Sequence, residues 1–121
     1  MTEELAERIA DTMFALATPS RVRILGSLRE RPHTVGELIA ATGMAQPAVS
    51  HQLRLLRDHR LVVAERRGRE RVYALYDEHV ASLLDEAERH ARQLASGRRR
   101  RSRAYPGRQA DGGQSRSAAD G

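Results

Sequence analysis

The stretch VGELIAATGMAQPAVSHQLRLLRDHRLV, residues 35–62, reads as two helices joined by a short turn. Thr34 just before it and Glu37 within it have the spacing of a capping box, in which hydroxyl and carboxylate each satisfy a free amide at a helix start. Leu38 and Ile39 follow as the apolar body, and Gly43 supplies a left-handed stop. A second helix runs from Gln46 to His59. In it Val49, Leu53 and Leu56 recur at i, i+4 and i+7 and form a buried stripe. Gln46, Ser50, His51 and Arg54 fall on another side, polar and short-chained near the helix start, where a helix can press into a groove.

Working outward, residues 3–17 place Leu5, Ile9, Met13 (or Thr12) and Leu16 on one stripe of a first helix. Thr18 is an N-cap, and Pro19 stands at the first helical position, where its missing N–H is harmless. In this helix Val22, Leu25 and Leu28 are expected to face inward, and Arg31-Pro32-His33 ends it. His33 and His59 read as loop and helix-end residues. Beyond the central stretch, Leu61–Arg66 and Arg71–Leu75 alternate as two strands, with the Gly-containing RRGRE as hairpin tip. A last helix runs from Asp77 to about Ser96. The expected fold is mainly α with a small β-hairpin, a winged helix–turn–helix, over residues 1–96. Residues 97–121, rich in Arg, Gly and Ser, read as a disordered tail.

Composition narrows the chemistry. The 121-residue length suits one domain. With no cysteine, disulfides and thiolate metal sites are excluded. No apolar run approaches the ~20 residues that span a bilayer, and the acidic start (Glu3, Glu4, Glu7) lacks a signal-peptide pattern; a cytoplasmic protein is expected. The net charge of +5 is uneven. From Arg54 to Arg71 there are seven Arg and three acids, whereas from Asp77 to Ser96 there are five acids and two Arg. A basic patch next to an acidic helix suits a polyanion for one partner and a cation for the other. No nucleophile–base constellation or phosphate-cradling glycine loop suggests an enzyme.

LATPSRVRILGSL, the 35–62 stretch and RRGRERVYALY together resemble the ArsR/SmtB metal-sensing repressors, over roughly residues 12–95. The resemblance implies a homodimer built through the N-terminal and C-terminal helices. It also implies binding to a palindromic double-stranded DNA operator and repression relieved by metal. Two positions depart from the family pattern. Ala45 stands where a Ser usually opens the second helix of the motif, forfeiting a cap worth about 1 kcal/mol. His59-Arg60 replaces the usual Gly in the turn that follows.

For DNA, Gln46, Ser50, His51 and Arg54 are the candidates to meet base edges, Gln pairing with adenine and Arg with guanine. Arg57 is placed to reach phosphate, and Arg66, Arg67, Arg69 and Arg71 suit backbone or minor-groove contact. An RNA-binding module driven by the arginine tail is a weaker alternative, because Phe14, Tyr73, Tyr76 and Tyr105 are too scattered for a stacking platform.

For metal, the last helix carries Asp77 and His79 near its start and His90 eleven positions later. Eleven residues span roughly 16 Å and return to within ~20° of the same face, so one helix cannot bring both imidazoles to a single ion. A second, antiparallel copy of the helix would bring Asp77 and His79 of one subunit to His90 of the other, giving two equal sites. The resemblance implies the same set plus a fourth ligand three residues after His90. Gln93 occupies that place and is a poor ligand, with Glu86 or water as substitute. Imidazole and carboxylate donors suit Ni(II), Zn(II) or Co(II) and disfavour Cu(I). Three firm ligands rank Ni(II), which accepts added water, ahead of a closed Zn(II) site. A winged-helix regulator with no metal sensing, its last helix only a dimer strut, is the alternative.

Overall fold

A computed structural model of the chain describes residues 1–97. The expected tail therefore lies, Gly97 apart, outside the described residues.

Five helices and three strands follow one another as α1 (Glu3–Ala15), α2 (Pro19–Glu30), β1 (His33–Thr34), α3 (Val35–Thr42), α4 (Gln46–Asp58), β2 (Val62–Arg67), β3 (Glu70–Leu75) and α5 (Glu78–Ala95). Local chemistry sets most of these ends. The Thr2 and Thr18 hydroxyls accept from the amides of Leu5 and Arg21, opening α1 and α2. The capping box of α3 is complete: Thr34 Oγ1 accepts from the Glu37 amide at 3.1 Å, and Glu37 Oε1 accepts from the Thr34 amide at 2.9 Å. Gly43, at φ 74°, closes α3 in the left-handed region that costs glycine nothing. Gly68, at φ 62°, does the same in the β2–β3 turn.

The sheet is antiparallel in the order β1-β3-β2. The expected hairpin is present, in a register that pairs Val62 with Leu75, Ala64 with Tyr73 and Arg66 with Arg71. β1 is an addition to the expected pair. It is only two residues long and exists because His33 and Thr34 pair with Tyr73 and Val72 of β3. His33, expected in a loop, is thus a buried strand residue whose Nδ1 lies 2.7 Å from the Arg31 carbonyl.

The core gathers Ile24, Leu25 and Leu28 of α2, Leu38 of α3, Val49, Leu53 and Leu56 of α4, Leu61, Val62 and Tyr73 of the hairpin, and Val80 and Leu84 of α5. The α4 stripe is buried as its periodicity predicts. On α2 the inward positions differ from expectation: Val22 is exposed, and Arg21, Ile24, Leu25 and Leu28 are buried. The reason is geometric, since i, i+3, i+4 and i+7 from Arg21 make one stripe and leave Val22 about 100° away.

Arg21 can occupy a core position because its donors are used. Its Nε donates to the Ala15 carbonyl, Nη2 to the Phe14 carbonyl at 3.0 Å and Nη1 to Gln52 Oε1 at 3.1 Å. One side chain thus joins the end of α1 and the middle of α4. Arg29 of α2 meets Asp85 of α5 at 3.0 Å on the surface. The chain divides into two compact units between Glu86 and Ala87, a point inside α5.

The apolar stripe expected on the first helix is covered at its end, where Leu16 is half-buried against the core, and open before it. Leu5, Ile9, Met13 and Phe14 are all exposed, and Ala15 is the buried residue of that helix. On α5 beyond the division, Leu94 is 69% exposed.

Candidate nucleic-acid interface and metal half-site

The α4 start is built for approach by another molecule. Ala45 takes the N-cap place in extended conformation, φ −71° and ψ 153°, and offers no side-chain bond to the first turn. Gln46, His51, Arg54 and Arg57 are exposed and Ser50 is half-buried, while Val49, Leu53 and Leu56 hold the opposite side in the core. The side chains expected to meet base edges therefore stand on a helix whose rotation is fixed by packing.

Arg66, Arg67, Arg69 and Arg71 are all exposed along the hairpin and its turn. Arg67 meets Glu65 at 3.6 Å, an exposed pair of little energetic weight. For Arg54, Arg57, Arg66, Arg69 and Arg71 the described residues supply no ion-pair partner. These unpaired guanidinium groups give α4 and the hairpin a positive surface suited to phosphate.

At the start of α5, Asp77 does two things. Its Oδ1 accepts from the amides of His79 at 3.0 Å and Val80 at 3.2 Å, which caps the helix. Its Oδ2 lies 3.4 Å from His79 Nδ1. Burial pushes the Asp77 carboxyl up. The hydrogen bonds from the His79 ring and from the Val80 and His79 amides, with the attraction of His79, outweigh it and leave the group below its ordinary value. The same hydrogen bonds orient the carboxylate beside the His79 ring.

The donor chemistry fits a divalent metal in part. A carboxylate oxygen and an imidazole nitrogen 3.4 Å apart can both reach one ion at about 2.1 Å each. The His79 side chain is 91% exposed, so nothing in the chain competes for it sterically. Yet among the described residues no three His, Asp or Glu side chains gather into a metal-binding group. Asp77 and His79 come together; His90, Gln93 and Glu86 are exposed further along α5 and do not join them. Of the expected ligands, the described residues bring together Asp77 and His79.

Two structural residues escaped the sequence reading. Arg21 shares the stripe of Ile24 and Leu25, but its burial depends on the Ala15, Phe14 and Gln52 acceptors that only the fold brings to it. His33 carried no local signal, because pairing with β3 is what makes β1.

No helix among the described residues is long and apolar enough to cross a membrane. Residues 18–63, from the α2 cap to β2, match the family described as bacterial regulatory protein, arsR family. The chain is 54% identical over 97 residues to the HTH-type transcriptional regulator NmtR of Mycobacterium tuberculosis, covering 80% of this chain and 81% of that one. It is 41% identical over 93 residues to a transcriptional repressor SmtB homolog of Synechocystis, covering 77% of this chain and 70% of the relative. Among solved structures, that of apo-NmtR aligns with TM-score 0.68 at 51% identity, over 86% of this chain and 87% of that chain. The homodimeric winged helix-turn-helix DNA-binding domain of Mb0332 from Mycobacterium bovis aligns with TM-score 0.74 at 27% identity, over 84% of this chain and 97% of that one. Fold, motif and identity over most of the chain agree: this protein belongs to the arsR family of bacterial regulatory proteins, DNA-binding transcriptional regulators rather than enzymes.

Proposed function

We propose that the chain is a cytoplasmic, homodimeric repressor whose grip on a palindromic DNA operator is coupled to a divalent metal, Ni(II) ahead of Zn(II), bound between the two α5 helices. Residues 1–96 form the DNA-binding and dimerisation domain, and 97–121 an arginine-rich appendage.

The observation that carries this reading is the Asp77 carboxylate 3.4 Å from the ring of the exposed His79 at the start of α5, a pair with the geometry to chelate that gathers no third ligand among the described residues. The exposed apolar residues of α1, with Leu94 of α5, supply the surface for a second copy. With α5 antiparallel to its counterpart, Asp77 and His79 of one subunit meet His90 of the partner subunit. Glu86, Gln93 or water completes the set. A bound ion supplies a cross-link between the two helices. Asp77 holds charge and orientation through its cap, His79 and His90 contribute nitrogen, and Arg29 ties the first half of α5 to α2 through Asp85. On α4, Gln46, Ser50, His51 and Arg54 meet base edges, and Arg57 with arginines of the wing meets phosphate. If the two relative arrangements of the winged helices differ in affinity for both DNA and metal, the factor by which metal changes DNA affinity is the factor by which DNA changes metal affinity, typically ~1–3 kcal/mol of coupling.

Calorimetric titration of Ni(II) and Zn(II) into the wild type and the His79→Ala/His90→Ala double variant tests the site. Two equivalents per dimer that vanish in the variant support it; unchanged affinity and stoichiometry in the variant eliminate it. A second reading, a family member that senses no metal, is favoured by the cap: Asp77 is already explained by opening α5.

A further inference from the structure

The wing arginines form one cluster in the sequence, but the hairpin register divides them. Residues directly opposite each other in an antiparallel ladder point to the same face. Val62 and Leu75, Ala64 and Tyr73, and Arg66 and Arg71 are such pairs and share one face. Val63 and Ala74, Glu65 and Val72, and Arg67 and Glu70 share the other. The first is the core face, because Val62 and Tyr73 are buried in the cluster that also holds Val49, Leu53 and Leu56 of α4. Arg66 and Arg71 therefore extend, past the edge of the core, the side of the sheet on which α4 lies.

The two faces differ in charge as well as direction. Towards the tip, the core-side face carries Arg66 and Arg71 and no acid, and neither arginine has an ion-pair partner among the described residues. The opposite face carries Glu65 and Glu70 with Arg67, whose Nη2 lies 3.6 Å from Glu65 Oε1. Like charges directly across a ladder repel. The Arg66–Arg71 pair is thus a repulsion that a polyanion would remove, whereas Arg67 shares its face with two acids, Glu65 at 3.6 Å and Glu70 directly across the ladder. Arg69, next to Gly68 in the turn, belongs to neither face.

We propose that the wing is one-sided: Arg66 and Arg71 together clamp the phosphodiester backbone of the duplex that α4 enters, and Arg67 faces away from it. This rests on the DNA-binding reading of α4 and goes further by separating arginines that composition treats alike. Phosphate binding is independent of base sequence, so a mixed-sequence duplex is a sufficient probe.

The test is fluorescence anisotropy of the full chain on such a duplex across a salt series, for the wild type and for Arg66→Gln, Arg71→Gln, Arg67→Gln and Arg66→Lys. Removing one charge that neutralises a phosphate should lower the slope of log affinity against log salt by about 0.9, or about 3-fold in affinity between roughly 50 and 200 mM salt. Arg66→Gln and Arg71→Gln are expected to show that decrease, Arg66→Lys to keep the wild-type slope, and Arg67→Gln to leave it unchanged. Thermal melting separates DNA binding from folding: removing a repelling charge should leave the midpoint of Arg66→Gln and Arg71→Gln equal to or above the wild type. A decrease in Arg67→Gln equal to that in Arg66→Gln, or an unchanged slope in Arg66→Gln and Arg71→Gln, overturns the one-sided wing while DNA binding stands. A wild type with no salt-dependent duplex binding overturns both.

Discussion

Glu37 shows how a single carboxylate can serve the fold. The Thr34 amide hydrogen-bonds it and lowers its pKa; slight burial acts in the opposite direction, and the charges of Arg31 and His33 add to the lowering. A carboxyl held below its ordinary 4.5 in the folded chain stabilises the fold above that value and loses the contribution as pH falls through the folded pKa. Glu37→Gln keeps an acceptor for the Thr34 amide but does not titrate. Urea unfolding between about pH 5 and 3 should therefore show a shallower acid decline in the variant than in the wild type. Ala45 is the converse case, a cap position with the right backbone and no side-chain acceptor. Ala45→Ser should raise stability by about 1 kcal/mol, read as a higher urea midpoint at unchanged slope.

At the scale of elements, what could be read in the sequence depended on where the determining interactions lie. The ends of α3 and the buried stripe of α4 are fixed by residues within one or two turns, so Thr34, Glu37, Gly43, Val49, Leu53 and Leu56 announced them. The place of β1 depends on β3, some forty residues on, and nothing in Arg31-Pro32-His33 betrays it. Arg21 was illegible for a different reason: an arginine near a helix start reads as surface, and its burial is intelligible only once the carbonyls of Phe14 and Ala15 and the amide oxygen of Gln52 are seen around it. Arg21→Met leaves those three acceptors without their donor inside the fold. It should cost about 2–4 kcal/mol of unfolding free energy, while Val22→Ala on the exposed face should change stability by less than about 0.5 kcal/mol. Paired urea titrations compare the two directly.

For the whole molecule, the surfaces matter more than the core. Exposed Leu5, Ile9, Met13 and Phe14 leave α1 without a partner for its apolar stripe, and a charge placed there should separate two copies. Ile9→Glu is expected to sediment as a folded monomer where the wild type sediments as a dimer. The metal half-site follows the same logic. Asp77 and His79 were legible from spacing and meet in the structure, but eleven residues of helix separate His79 from His90, so the proposed site needs an assembly to complete it. The central claim is that this assembly links metal to DNA. The direct measurement is affinity for the DNA upstream of the protein's own gene, with and without Ni(II), for the wild type and His79→Ala. Ni(II) is expected to weaken wild-type binding by about 5- to 150-fold, and His79→Ala to bind as tightly as the metal-free wild type and ignore Ni(II). Equal wild-type affinity with and without metal, or a variant that responds as the wild type does, would contradict the claim.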